Sequence, residues 1–320
     1  MIISKTPFRI SLFGGSTDYP SFYKKHGSLI LGFAMDKYCY ISLRKTPRIF
    51  NYKTLVSYSK LEKVNKNLDI EHNGVRGVLE YLKIRYGVEI QHQCDLPSQT
   101  GIGSSSSFIV GLLNAAMQVK NQTCDRHCLA EIAIDIERNL LAEPGGIQDQ
   151  IWAAYGGVNS IHIHKNGSFE VKPLPISTQF KRELLDRCAL IYTGKTRKSF
   201  DIARAHDNKK TESSKNAIRS IADTAYSAFQ EGDISSIGKL LHQSWQHKKQ
   251  ISPLISSESI EAMYADLQSE GMIGGKLLGT GGSGFILCVL KKGKKDQFVK
   301  KFSKVHIAFG FDEYGSQIIN

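Results

Sequence analysis

LPSQTGIGSSSSF, residues 96–108, places two glycines and four consecutive serines directly ahead of an apolar periodic run. Gly101 and Gly103 permit positive φ and close approach of the backbone, and Ser104 to Ser107 bring hydroxyls to where a helix leaves its first amide hydrogens unpaired. Phe108, Ile109, Leu112, Leu113 and Ala116 recur at helical spacing. The segment therefore predicts a helix with one buried face and its positive dipole end turned back toward the serines, a place suited to phosphate. A tight turn followed by a capped helix uses the same chemistry, so the surrounding sequence has to decide between them.

Working outward, a strand is predicted over 88–94 and a helix over 75–86 on one side. On the other side Leu129, Ile132, Ala133, Ile136 and Leu140 form the apolar stripe of a helix over 126–141. The first third alternates short strand-like runs at 8–13, 29–34 and 38–43 with turns. No regular βαβ repeat appears, which argues for an α+β fold and against a doubly wound parallel sheet. A hairpin-like KNGS at 165–168, followed by Pro173 and Pro175, marks a boundary near residue 175, giving units 1–175 and 176–320. The second unit reads as a strand over 188–193, a polar stretch over 207–215 and paired helices over 217–230 and 235–247. A helix over 257–270, the glycine-rich GGKLLGTGGSGFILCVL, and a final basic helix and strand complete it.

Composition narrows the classes. The chain has 320 residues, 41% hydrophobic and 22% charged, as expected of an ordinary soluble enzyme large enough for two cores. The N-terminus shows no secretory pattern and no run approaches the length of a membrane span, and the six cysteines are scattered, so reduced thiols and a cytoplasmic location are expected. Cys124, His127 and Cys128 lie close together but lack a second cluster to complete a zinc site. The net charge of +12 admits anionic partners. Its densest run, KKGKKDQFVKKFSK at 291–304, has few aromatics for base stacking and reads as a solvated turn and helix face rather than a nucleic-acid surface.

Three further segments carry chemistry. TPFRISLFGGSTDYP puts Arg9 in a strand and Gly15, Ser16, Thr17 and Asp18 in the turn after it, where they either read hydroxyls of a small polar substrate or simply form a capped turn. ERNLLAEPGGIQDQIWAAYGG, from Glu137, places a carboxylate on the inward edge of an apolar helical row, where it needs a partner such as a metal ion. Gly145 and Gly146 then open the backbone, and Asp149 stands just before Ile151 and Trp152, as a base or orienting acid or as the N-cap of the next helix. GTGGSGF, 279–285, spends Gly281 and Gly282 between two strands, which implies a bulge or something lying against the backbone. A Walker-type loop is excluded: Gly194, Lys195 and Thr196 match its end, but Ala189 takes the place of its first glycine. No GxGxxG dinucleotide fingerprint is present.

In this order PFRISLFGGSTDYP, LPSQTGIGSSSS and GTGGSGF resemble the three motifs of the GHMP small-molecule kinases, and the resemblance covers nearly the whole chain. Within that family, FGGSTDYP and GGIQDQIWAAYGG look most like the kinases acting on heptose phosphates. The resemblance implies a two-domain architecture, the N-terminal domain like ribosomal protein S5 domain 2 and the C-terminal one ferredoxin-like. It implies ATP held by Pro97, Gly101, Ile102, Gly103, Ser104, Ser105, Ser106 and Ser107, with Ser105 and Ser104 reaching Mg²⁺ and Glu137 as the other metal-binding group. Asp149 would orient or deprotonate the acceptor hydroxyl, with Arg9 beside it favouring the ionised carboxylate. The spacing from Glu137 to Asp149 is one residue longer than in mevalonate kinase-like members.

The implied acceptor is heptose 7-phosphate, phosphorylated at its anomeric hydroxyl to supply nucleotide-activated heptose for surface glycans. Gly15, Ser16, Thr17, Asp18, Gly145, Gly146, Gly281 and Gly282 would contact it. Lys195 and Arg197, in TGKTRKS, would either grip its phosphate or form an exposed basic turn. The partners implied are ATP and a small sugar phosphate, with no nucleic acid and no membrane; a homodimer is compatible with this reading. A kinase for another sugar, such as fucose or galactose, and a sugar- and ATP-binding regulator without turnover are the alternatives.

Overall fold

The computed structural model describes residues 1–194 and 211–319. The chain runs β1 (Ile2–Phe13), α1 (Pro20–His26), β2 (Ser28–Lys45), β3 (Thr54–Ser57), β4 (Leu61–Val64), α2 (Asn73–Tyr81), β5 (Val88–Cys94) and α3 (Ser104–Val119). It continues with α4 (Arg126–Asp135), a π turn (Ile136–Leu140), α5 (Gln148–Tyr155), β6 (Val158–Ile163), β7 (Phe169–Pro173), α6 (Thr178–Arg187) and β8 (Cys188–Tyr192). After residue 211 follow α7 (Glu212–Glu231), α8 (Ile234–Lys249), α9 (Glu258–Ser269), β9 (Met272–Leu277), β10 (Phe285–Leu290), α10 (Lys295–Lys301), β11 (His306–Ile307) and β12 (Gln317–Ile319).

β2, 18 residues long, is the spine of the first sheet. Its first half pairs with β6, its second half with β5, and β1 runs antiparallel along its other edge. Apolar side chains on β1 are buried without alternation, because α3 covers one face of the sheet and α7 reaches the other, where Phe229 meets Phe13 edge-on at 6.5 Å. α3 is buried nearly all round rather than on one face, as suits a helix enclosed by the sheet, α2, α4 and α5. The second sheet is antiparallel with order β11-β8-β10-β9. Its first strand is central and its last lies at the edge, the ferredoxin-like split βαβ arrangement. Trp245, Tyr264, Ile286 and Cys288 fill the core beneath it. The α+β class and the two-part architecture are those the resemblance implies.

Three details depart from the sequence reading. Helix α2 stops at Tyr81 rather than reaching Tyr86, since Lys83 takes a positive φ of 52° that no helix continues through. The predicted helix over 126–141 holds its α geometry only to Asp135 before passing into the π turn. Finally, β12 returns to pair antiparallel with β1, so the segment 176–320 contributes a strand to the first sheet.

Candidate active site

Gly101 and Gly103 lie at φ 76° and 78°, and Gly103 is the left-handed residue from which α3 starts. That geometry turns the helix N-terminus into a cleft of about 1030 Å³, within the range of small-ligand sites. Pro97, Gly101, Gly103, Ser104 and Ser105 line this cleft, with Tyr58, His72 and Phe108 on its far wall. Three residues expected there are engaged elsewhere. Ile102 is fully buried and its carbonyl accepts from Arg9 N–H at 3.0 Å. Ser107 donates to the Pro7 carbonyl at 2.8 Å, pinning α3 to β1. Ser106 faces a second, smaller pocket of about 170 Å³, where its hydroxyl donates to Glu137 Oε2 at 3.0 Å.

The π turn presents Glu137 inward, 1% exposed. A π turn takes up one residue more than a regular helical turn, and here it carries Glu137 in its first turn. Oε2 also accepts from Arg138 at 3.0 Å and from the Gln150 amide, while Oε1 has no hydrogen-bond partner among the described residues. Burial pushes the Glu137 carboxyl up to about 7, against the opposing charge of Arg138. An orphaned oxygen on a buried carboxylate, beside serine hydroxyls, is a donor set that fits a hard cation.

Helix α5 begins at Gln148, so Asp149 sits in its first turn and is not the N-cap. Its two oxygens instead receive Arg9 Nε and Nη2, both at 2.8 Å, in a bidentate pair. The remaining Arg9 nitrogen donates to the Gly101 carbonyl at 2.5 Å, which ties the acid to the phosphate-type loop. Arg9, Ser105, Glu143, Asp149, Gly279 and Thr280 line both cavities and so form the neck between them.

The turn after β1 divides by role. Gly15, Ser16 and Asp18 line the smaller pocket, as do Gly145 and Gly146. Asp18 accepts from Ser16 N–H at 3.2 Å and from Gln148 N–H at 3.3 Å, and burial, followed by the charge of Asp149, raises its carboxyl above the ordinary range. Thr17 does not reach the pocket: its buried hydroxyl bonds the Gly14 carbonyl at 2.7 Å and Ser28 Oγ at 2.5 Å, the capped-turn alternative. In the glycine-rich hairpin, Gly281 lines the larger cleft and Gly282 neither cavity, since its N–H donates to the Ile255 carbonyl at 2.8 Å. At Gly279 (φ 65°) a Cβ would stand 2.3 Å from Gly101 Cα, so this hairpin rests directly on the phosphate-type loop. Lys195 and Arg197 lie outside the described residues.

Two cations escaped the sequence reading. Lys276, on β9, donates to the Leu12 carbonyl at 2.9 Å, and Lys248, near the end of α8, bonds the carbonyls of Leu277 and Gly279 at 2.9 and 2.5 Å. Both line the smaller pocket. Burial, then the charge of Arg9, pulls Lys276 down to about 7, and burial, then Lys276, lowers Lys248 as well. The signal available was a lysine inside an apolar strand, in GGKLLG; Lys248 sits in an HKK run that reads as solvated.

A pH dependence follows from Lys276. Between pH 7 and about 10.5, lysine's usual value, the unfolded chain binds a proton that the folded chain lacks, so stability rises with pH through that window and is lost as pH falls toward 7. In urea titrations Lys276→Met should flatten much of that rise, Lys248 retaining a contribution of the same sign; an unaltered slope would remove Lys276 as its source.

The chain matches the model of the GHMP kinases N terminal domain over residues 73–157 and that of the GHMP kinases C terminal domain over 225–308, together more than half its length. It belongs to the GHMP kinases. The family is one of phosphotransferases with an alcohol acceptor, and the GHMP kinase described here carries its three motifs around the neck. It is similar to the D-glycero-alpha-D-manno-heptose 7-phosphate kinase of Campylobacter jejuni, 29% identical over 95% of this chain and 93% of that protein. A galactokinase of Thermotoga petrophila is 24% identical over 96% and 95% of the two chains. The crystal structure of a D-glycero-D-manno-heptose 1-phosphate kinase from Bacteroides thetaiotaomicron superposes with a TM-score of 0.83 at 22% identity, covering 100% of this chain and 99% of that one, and shows the shared fold. Among the described residues no helix is long and apolar enough to cross a membrane.

Proposed function

We propose that this GHMP kinase is a sugar kinase that transfers the γ-phosphoryl group of ATP to the anomeric hydroxyl of heptose 7-phosphate, giving the 1,7-bisphosphate for nucleotide-activated heptose and surface-glycan synthesis. The observation that carries this reading is the neck: Asp149, clamped by Arg9, stands where a cleft ending at a helix N-terminus opens into a small polar pocket. The larger cleft takes the nucleotide, with the backbone of Gly101 to Ser105 and the start of α3 against its phosphates. The smaller pocket takes the sugar, with Ser16 and Asp18 at its hydroxyls. Lys276 and Lys248, which burial holds toward their neutral form, would regain their protons beside an anion, and with Arg138 around that pocket they favour an acceptor that already carries an anionic group, as does the similarity to the heptose 7-phosphate kinase.

Phosphoryl transfer passes through a loose transition state, so alignment contributes more than base strength. Asp149 accepts a hydrogen bond from the acceptor hydroxyl, whose oxygen forms the new bond to γ-phosphorus as the bridging bond to ADP breaks. The hydroxyl proton then passes to Asp149. Arg9 holds the carboxylate in place throughout. Mg²⁺, which Glu137 and the hydroxyls of Ser105 or Ser106 would hold, supplies charge neutralisation on the phosphates.

Initial rates on a panel of sugars and sugar phosphates test this reading. Heptose 7-phosphate is expected to exceed heptose, fucose and galactose in kcat/KM by about a hundredfold or more, because a site built for a charged group leaves its cations unpaired with the neutral analogue. Preference for galactose or fucose would replace the acceptor, and absence of transfer to every member would overturn the sugar-kinase reading.

A further inference from the structure

The far wall of the larger cleft contains a group of side chains that phosphoryl transfer does not use. Cys94 is the last residue of β5 and His92 stands two positions before it, so both project from the same face of the strand. Cys39, on β2, pairs directly across from Cys94 in the antiparallel register. Sγ of Cys39, Sγ of Cys94 and a ring nitrogen of His92 all lie within 4.8 Å of one another. His92 Nε2 and Cys94 Sγ are 2.9 Å apart, and the His92 ring is held edge-on to Phe108, 4.9 Å between centroids.

From these observations we infer that Cys39, His92 and Cys94 form a three-ligand site for a thiophilic divalent ion, Zn²⁺ being the natural one, with its fourth position open to the cleft. Tetrahedral zinc with bonds of about 2.3 Å to sulfur and 2.0 Å to nitrogen sets its ligand atoms roughly 3.5–3.8 Å apart. The 2.9 Å between His92 and Cys94 and the 4.8 Å bound on the whole group bracket that spacing, so side-chain adjustments of about an ångström would bring the three atoms onto it. The hydrogen bond between the Cys94 thiol and His92 holds the place of the ion: binding removes the thiol protons to solvent and replaces that bond with two bonds to metal. Cys39, on the same face of the sheet, is fully buried, whereas His92 and Cys94 line the cleft, which provides both the entry path and the water for the open position.

The site sits three residues ahead of Pro97, where β5 hands the chain to the phosphate-type loop. An ion there would stiffen the root of that loop and stand on the wall of the larger cleft. Nothing in this inference requires the acceptor assignment.

Titrating the full-length chain with Co²⁺ under a phosphine reductant tests it. One equivalent should produce a thiolate-to-cobalt charge-transfer band and intense d–d bands of tetrahedral form, both erased by an equivalent of Zn²⁺. Cys94→Ser and His92→Ala, on the accessible side of β5, should each weaken binding about a hundredfold or more, beyond the 10–100-fold that loss of a supporting residue costs. Cys39→Ser should lower the charge-transfer intensity toward that of a single thiolate. The double variant Cys124→Ser/Cys128→Ser should bind as the parent does. No charge-transfer band in the parent, a band that survives Cys94→Ser, or one that disappears with Cys124 and Cys128 would each overturn the site.

Discussion

Asp149→Asn should reduce turnover by about a hundredfold or more, the usual contribution of a positioned acid–base group, while leaving KM for ATP nearly unchanged. The side chain keeps its shape and its remaining oxygen still accepts one Arg9 N–H, while the amide nitrogen gives up the other half of the bidentate pair. What disappears is the second carboxylate oxygen, and with it the acceptor for the substrate proton. Loss in kcat without loss in nucleotide binding marks an interaction made chiefly in the transition state. Far-ultraviolet circular dichroism and a urea midpoint close to the parent would confirm that the fold is intact. Near-normal turnover in this variant would take Asp149 out of the chemistry.

The second large effect is expected at Glu137. Replacing it with Gln should lower turnover by about a hundredfold or more, equivalent to losing several kcal/mol of charge stabilisation on the phosphates, and should raise the Mg²⁺ concentration needed for half-maximal rate. The same variant should be as stable as the parent or more so. Burial already drives the Glu137 carboxyl toward its neutral form, and an amide presents that neutral form permanently. A merely structural carboxylate would show the reverse, stability falling and Mg²⁺ dependence unchanged. Initial rates across a Mg²⁺ series, paired with urea melts, separate the two.

Much of the first half of this site is written locally. Gly101 and Gly103 can take left-handed φ because they lack a Cβ, and the serines follow at the start of α3; both facts lie within one stretch of chain. The bounds of β5 and the hairpin joining β6 to β7 are legible for the same reason, since strand period and turn chemistry act over a few residues. The expected roles of Ile102, Ser107, Thr17 and Gly282 differ from their positions because a motif states which residue types occur, not which way each one faces. Ser106 and Ser107 are adjacent, yet one meets Glu137 and the other the Pro7 carbonyl.

The cysteines show the same limit. Sequence proximity drew attention to Cys124, His127 and Cys128, whereas the close-set group of soft ligands among the described residues joins Cys39 to Cys94 across two strands. Lys276 and Lys248 were hidden in a strand and at a helix end, and only the packing of α8 against β9 and β1, with the Lys276 bond to the Leu12 carbonyl, brings their side-chain nitrogens to the pocket.

Taken alone, the sequence determined the α+β class and the left-handed glycine turn with serines at the head of α3, because φ preference, helix capping and hydrophobic period are settled among near neighbours. Only the tertiary structure decided that Arg9 clamps Asp149 from 140 residues away, that β12 closes onto β1, and that two cavities share one neck. Those contacts join segments far apart in the chain, and the order in which elements pack, rather than any local preference, selects them.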